Sequence, residues 1–174
     1  MKQTQTFRLT RIPTPIGAML IATDEQDRLR VLDWDDYVPR MERLLQRHYG
    51  GDAVLKEGAA PSAVAGPLQA YLEGDIAAID TIPTETAGTA FQRAIWAALR
   101  KIPAGQTWSY SDLAKHIGNP AAVRAVGLAN GANPIGVVVP CHRVIGMNGS
   151  LTGYAGGVER KRWLLRHEGV ALSG

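Results

Sequence analysis

Cysteine is almost absent from this chain, whose 174 residues include only Cys141. A single cysteine cannot form an internal disulfide, and a free thiol fits a reducing compartment, so we expect a cytoplasmic protein. One cysteine and four scattered histidines leave no structural zinc site. No apolar run approaches the roughly 20 residues of a membrane helix, and the N-terminus lacks the features of a signal peptide. We therefore expect a globular protein without a metal, a cofactor or a membrane segment.

Internal repeats and low-complexity tracts are also absent, but the charge is unevenly distributed. Residues 1–87 carry nine Lys and Arg against thirteen Asp and Glu, a net charge of −4, whereas residues 88–174 carry ten against three, a net charge of +7. The basic half has an electrostatic field suited to phosphate groups. Basic residues also solvate ordinary protein surfaces, so charge alone leaves both interpretations open.

The first half predicts an antiparallel meander of strands followed by helices. Short apolar segments separated by turn residues predict strands at 7–12, 18–23 and 29–34. The spacing of apolar residues predicts helices at 39–49 and 62–72, although Gly66-Pro67 interrupts the second. Large apolar side chains are scarce at 84–89. We place a linker there, between domains of residues 1–87 and 88–174.

The second half opens with two N-cap signals. Thr89 predicts the start of a helix over 90–101, and Ser109 with Asp112 resembles a capping box for a helix that Gly118 ends. Another helix is predicted from Pro120 to about Asn130. Two short helices joined by a tight turn are typical of a helix-turn-helix, although such pairs also occur in plain helical cores.

The last of these helices has an unusual composition. Arg124 is its only long polar side chain before Asn130. Small residues either allow close packing on the core or let the backbone approach a DNA minor groove, which is roughly 6 Å wide. The small residues that matter for the second interpretation are Ala121, Ala122, Ala125 and Gly127.

Cys141 follows a run of three valines and a proline. The run Val137 to Val139 predicts a buried strand, which Pro140 ends because it has no backbone N–H. A thiolate is a nucleophile, and a nearby imidazole such as His142 activates a thiol by taking its proton. The structural alternative is a buried cysteine that acts as a small apolar residue. Neighbours on a strand point to opposite faces, so either Pro140 turns the chain or a water carries the proton.

A glycine-rich loop and a final helix follow. Residues 146–157 include five glycines, and Tyr154 among them either walls a pocket or lies on a flexible surface. A helix is predicted over 158–167. Glu168 shares the inward face of Leu164 and Leu165, and a buried carboxylate needs a partner, for which His142 is the candidate. An exposed Glu168 is the alternative.

Several of these segments together resemble a known family. The motif Pro-Cys-His-Arg-Val at residues 140–144 is similar to the hallmark of the O6-alkylguanine-DNA alkyltransferases, also called methylated-DNA–protein-cysteine methyltransferases. The resemblance extends over residues 88–169, whereas the first 87 residues match only loosely. It also covers Phe91 to Trp96, Arg124 to Gly127, Asn133-Pro134, Gly153 to Gly157 and Trp163 to Gly169.

The resemblance implies an α+β fold, with an N-terminal antiparallel-sheet and helix domain of the ribonuclease H-like type. A mostly helical winged helix-turn-helix domain would follow. The implied function is DNA repair by irreversible transfer of an alkyl group from O6-alkylguanine, and from O4-alkylthymine, in double-stranded DNA to the protein's own cysteine. A monomer that reacts once and uses no cofactor is expected. A cysteine hydrolase and a non-catalytic lesion-binding module remain the alternatives.

The resemblance also assigns roles to residues. Cys141 is the implied nucleophile, Glu168 orients His142, and His142 draws the thiol proton through a water. Asn133 fixes the loop that carries Cys141, and Tyr110 pushes on a phosphate and donates to the departing base.

DNA contacts and a base pocket are implied as well. Arg124 takes the space of the extruded nucleotide, while the helix that carries the small residues named above enters the minor groove. Gly136 stands where tighter relatives carry Pro, which implies room for alkyl groups larger than methyl. The pocket residues are Val144, Tyr154, Ala155, Gly156, Gly136 and Met147.

Overall fold

The computed structural model describes residues 5–51, 53–151 and 153–172. The chain forms two compact units, one up to Ala87 and one from Gly88 onward. None of the helices in the described ranges is long and apolar enough to cross a membrane.

The first unit contains a sheet of four strands, β1 (Thr6–Thr14), β2 (Gly17–Thr23), β3 (Leu29–Trp34) and β4 (Val54–Glu57). Their order in the sheet is β3-β2-β1-β4. The predicted antiparallel meander of β1, β2 and β3 is confirmed. β4 pairs parallel with β1 and was not predicted, because its residues show no apolar alternation.

Helices α1 (Val38–Tyr49) and α2 (Ser62–Leu72) complete this unit, and both agree with the sequence prediction. One side of the sheet buries apolar residues with the inward side of α1. The cluster comprises Phe7, Leu20, Ala22, Val31, Met41 and Leu45. Burial of such side chains is the main stabilising contribution in a unit of this size.

The second unit is mainly helical. Its helices are α3 (Ala90–Leu99), α4 (Tyr110–His116), α5 (Val123–Gly131) and α6 (Val158–His167). Two short parallel strands, β5 (Trp108–Ser109) and β6 (Val144–Ile145), pair beside them. Both predicted N-caps are confirmed, since Thr89 and Ser109 each form a complete capping box. The predicted end of α3 at Lys101 is two residues too late.

The start of α5 differs from the prediction. The helix begins at Val123 rather than at Pro120, so Ala121 and Ala122 lie in the preceding turn. The reason is a backbone hydrogen bond from Ala122 N to Asn119 O, 3.0 Å long, which closes a turn around Pro120. Proline therefore occupies a turn here and not the first position of a helix.

The prediction of a strand at Val137 to Val139 is wrong, although these residues are buried. The chain turns instead, with Val137 at φ +70°, a conformation that β-branched residues rarely adopt. The Asn133 side chain replaces a neighbouring strand as the hydrogen-bond partner. Its Nδ2 donates to Val139 O at 2.7 Å, and its Oδ1 accepts from Ile135 N at 2.9 Å. Pro140 then leads into one turn of 3-10 helix.

Candidate active site

Cys141 is the first residue of the 3-10 turn Cys141–Arg143, directly before β6. Its thiol is not part of a disulfide, and its residue surface is 6% exposed. The chain bends after Pro140, so Cys141 and His142 are not neighbours on a regular strand. A buried thiol of this kind reacts only with a group that enters the site.

His142 is completely buried and pairs with Glu168, as predicted, with Nε2 and Oε2 2.8 Å apart. Burial lowers the pKa of His142, although the carboxylate opposes that effect, so the imidazole is neutral at pH 7. An ionised carboxylate only accepts hydrogen bonds, so Nε2 carries the imidazole proton and donates a hydrogen bond to Glu168. Nδ1 is therefore the acceptor nitrogen, and it has no hydrogen-bond partner among the described residues.

Glu168 follows α6 and is 2% exposed. Arg143 binds both carboxylate oxygens, with Nε 2.8 Å from Oε1 and Nη2 3.1 Å from Oε2. Arg143 Nη1 donates to Ile102 O at 2.6 Å. Burial alone would raise the pKa of Glu168, but His142 and Arg143 outweigh it and lower that pKa to about 2. Glu168 is thus ionised whenever the protein is folded near neutral pH.

Sequence reasoning assigned no role to Arg143. A signal was available, because a buried carboxylate requires a compensating charge and Arg143 lies beside the predicted partner of Glu168. The same reasoning missed Lys161, which precedes Leu164 and Leu165 by three and four residues and shares their inward face.

Lys161 is fully buried in α6, and its Nζ donates to Val144 O at 2.7 Å. Burial lowers its pKa to about 8, while the charge of Cys141 acts in the opposite direction. A lysine with this pKa is mostly cationic at pH 7. Its positive charge therefore interacts electrostatically with the Cys141 sulfur, and its hydrogen bond fixes the carbonyl of Val144 at the start of β6.

The remaining predicted catalytic residues lie in two places. Asn133 supports the turn before Cys141 through the two hydrogen bonds described above. Tyr110 begins α4, where its ring approaches α5 so closely that a Cβ on Gly127 would lie 3.9 Å from ring carbon Cδ1. A methyl group at Gly127 would make ordinary van der Waals contact with the ring and would not exclude it.

The predicted DNA-contact residues on α5 share an outward side. Arg124 and Ala125 are exposed, and Gly127 is half-buried. Leu128 is 73% exposed on the same side and was not identified from the sequence. The opposite side is buried, and the carbonyl of Ala129 there accepts a hydrogen bond from Trp96 Nε1 of α3 at 2.9 Å.

The predicted pocket residues are less uniform. Val144 and Gly156 are buried, Gly136 and Tyr154 are half-buried, and Ala155 is exposed. Met147 is 83% exposed, and its Sδ lies 3.8 Å from Ser111 Oγ. Val144 is therefore buried directly after the turn that contains Cys141, whereas Met147 lies on the surface.

Residues 90–170 match the family model of the 6-O-methylguanine DNA methyltransferase DNA-binding domain. The methylated-DNA–protein-cysteine methyltransferase of Salmonella typhimurium is 55% identical over 93% of this chain and 95% of its own length. That of Methanosarcina acetivorans is 44% identical over 90% and 94%.

Solved structures of O6-methylguanine methyltransferases also match the α+β chain over most of its length. The O6-methylguanine methyltransferase of Mycobacterium tuberculosis superposes with a TM-score of 0.74 at 40% identity, over 93% of this chain and 92% of that one. A structure of the M. tuberculosis protein in complex with DNA gives a TM-score of 0.75 at 38% identity, over 92% of both chains.

Proposed function

This chain belongs to the family of methylated-DNA–protein-cysteine methyltransferases, which repair DNA by alkyl transfer to a cysteine, and we propose that Cys141 is the acceptor. The observation that carries the proposal is the geometry at the 3-10 turn. The Cys141 thiol directly precedes a buried imidazole whose Nε2 is held by Glu168 and whose Nδ1 has no hydrogen-bond partner among the described residues. That arrangement suits the removal of a proton from the thiol.

The reaction begins with deprotonation of the Cys141 thiol. His142 is neutral and accepts the thiol proton at Nδ1 through a water, and Glu168 stabilises the imidazolium that forms. The positive charge of Lys161 favours the thiolate at Cys141. Because Cys141 is almost fully buried, few water molecules solvate the thiolate, and its sulfur stays available for attack.

Alkyl transfer then replaces one bond by another. The Cys141 sulfur forms a bond to the alkyl carbon of O6-alkylguanine as the bond from that carbon to O6 breaks, and the electron pair stays on the guanine. The Tyr110 hydroxyl donates a hydrogen bond to N3 of the departing guanine anion, which takes up a proton from solvent while the His142 imidazolium returns its proton to solvent. The product is a thioether, which no base in the site cleaves, so each molecule reacts once. O4-alkylthymine presents the same alkyl–oxygen bond and is proposed as a second substrate.

Access to the lesion requires extrusion of the nucleotide, because a base inside a duplex cannot reach a buried thiol. We assign binding of double-stranded DNA to the basic second unit, with α4 and α5 as the helix-turn-helix of a winged domain. Ala125 and Gly127 let α5 approach the minor groove, and Arg124 fills the space that the nucleotide leaves. Ala121 and Ala122 contribute through the turn before the helix.

The base pocket is proposed to lie beside β6 and the glycine-rich loop. Main-chain groups near Val144 and Tyr154 would hold the base edge, with Ala155 and Gly156 beside them and Gly136 on the opposite wall. Met147 would line the mouth of the pocket and not its interior, given its exposure. We further propose that the first unit has a ribonuclease H-like fold and that the protein acts as a cytoplasmic monomer.

The acceptor is tested with Cys141→Ser. This substitution keeps the shape of the side chain and removes the soft nucleophile, so alkyl transfer from a duplex containing O6-methylguanine should be abolished while DNA binding stays close to that of the wild type. Mass spectrometry of the reacted wild type should place one methyl group on Cys141. A methyl group on any other residue would contradict the assignment.

A further inference from the structure

Leu128 is an exposed apolar residue on a side of α5 that otherwise carries small residues and Arg124. Its surface is 73% exposed. The core does not account for it, because the buried residues of this helix are Val126, Ala129 and Asn130 on the other side. The neighbouring positions on this side carry small residues, so Leu128 and Arg124 are the long side chains that extend from the helix surface.

A single exposed leucine is common in proteins and needs no special explanation. Leu128, however, does not stand alone. The other large apolar side chain that is highly exposed in the described part of this unit is Met147. Met147 contacts Ser111, next to Tyr110, while the ring of Tyr110 lies against Gly127, next to Leu128. The exposed apolar groups of this unit therefore flank the residue proposed to push on the DNA backbone.

The spacing of Leu128 and Arg124 separates their contacts. Four residues of α-helix rise about 6 Å, and their Cβ atoms lie about 5–6 Å apart on one side. Bases along a DNA strand are about 3.4 Å apart. If α5 lies along the groove, side chains at this separation reach different base steps, with Leu128 beside the step that Arg124 fills.

We propose that Leu128 is an apolar wedge that enters the minor groove one helical turn beyond Arg124 and helps to open the duplex. Proteins that bind the minor groove frequently insert leucine or similar side chains beside a base step, which partly unstacks the step and kinks the DNA. Kinking at a neighbouring step lowers the free energy needed to extrude the alkylated nucleotide. The inference rests on the proposed function of α5 and adds a second DNA-opening residue to it.

The test compares alkyl transfer from two substrates, O6-methylguanine in a duplex and the free modified base, which needs no opening. Leu128→Ala should lower the ratio of the duplex rate to the free-base rate about tenfold, equivalent to about 1.4 kcal/mol. Leu128→Met, which keeps a long apolar group, should restore most of that ratio. The matched control is Leu55→Ala on the exposed strand β4, for which the ratio should equal that of the wild type.

A fluorescent base analogue beside the lesion reports unstacking directly. The wild type and Leu128→Met should both increase its emission on binding, and Leu128→Ala should increase it much less. A wild-type ratio in Leu128→Ala would refute the wedge, and a raised ratio would show that Leu128 obstructs the groove. Neither result touches the proposed function, which fails separately if Cys141→Ser still accepts the alkyl group.

Discussion

Replacement of Glu168 by glutamine removes the charge that holds His142 and Arg143 while keeping the size of the side chain. The pKa of Glu168 falls from 4.5 to about 2 in the folded protein, a difference of about 2.5 units. At about 1.4 kcal/mol per unit, the ionised carboxylate contributes about 3 kcal/mol to the free energy of unfolding. Removal of one partner from a buried ion pair costs about 3–5 kcal/mol in other proteins, so both routes give a similar magnitude.

The pH dependence has a definite sign. The folded-state pKa lies below the unfolded value, so this contribution is fully present above pH 4.5 and disappears as the pH falls through about 2. The free energy of unfolding of Glu168→Gln should therefore be about 3 kcal/mol lower than that of the wild type at pH 7, and the difference should vanish in strong acid. Other carboxylates titrate in both proteins and cancel in the difference.

The measurement is urea denaturation at several pH values, followed by circular dichroism. Glu159→Gln is the matched control, because Glu159 lies on the same helix α6 but forms an exposed pair with Arg162. Exposed pairs contribute less than about 1 kcal/mol, so this variant should unfold like the wild type. The reasoning is refuted if Glu168→Gln is as stable as Glu159→Gln at pH 7, or if its deficit persists unchanged at pH 2.

Two further predictions concern the DNA and the pocket. Arg124→Ala should reduce repair of duplex DNA at least about a hundredfold and repair of the free modified base much less, because the free base requires no extrusion. Equal losses with both substrates in a rate assay would assign Arg124 to the pocket or the fold. Gly136→Pro should slow removal of butyl groups at least about tenfold more than removal of methyl groups, because the added proline ring makes the pocket narrower. Equal slowing of both would remove Gly136 from the pocket.

Local signals predicted the helices of this protein well. The final helix was expected over 158–167 and is observed as Val158–His167, and helical spacing correctly turned Glu168 inward toward His142. Capping boxes likewise located the starts of α3 and α4. Periodicity and capping involve residues within one or two turns of each other, so a single sequence contains the information that specifies them.

Other features depend on residues that are distant in sequence. The valine run before Cys141 has the composition of a buried strand, but its hydrogen bonds are local: Asn133 Nδ2 donates to Val139 O, and the amides of Val138 and Val139 donate to Gly136 O and Ile135 O. Strand β4 is specified by pairing with β1 and has no apolar pattern of its own. Local patterns indicated that Lys161 faces inward and that Arg143 lies near the partner of Glu168, but the carbonyls these side chains bind depend on where α6 packs.

The turn that carries the nucleophile is held by side chains that donate to backbone carbonyls. Asn133 binds Val139 O, Lys161 binds Val144 O, and Arg143 binds Ile102 O. Two of these bonds join the turn to segments 17 and 41 residues away in sequence. Local opening of the turn would leave buried charges without partners, so it cannot fray like an ordinary loop. Its amide protons should exchange with solvent only when α6 also detaches, as one cooperative unit.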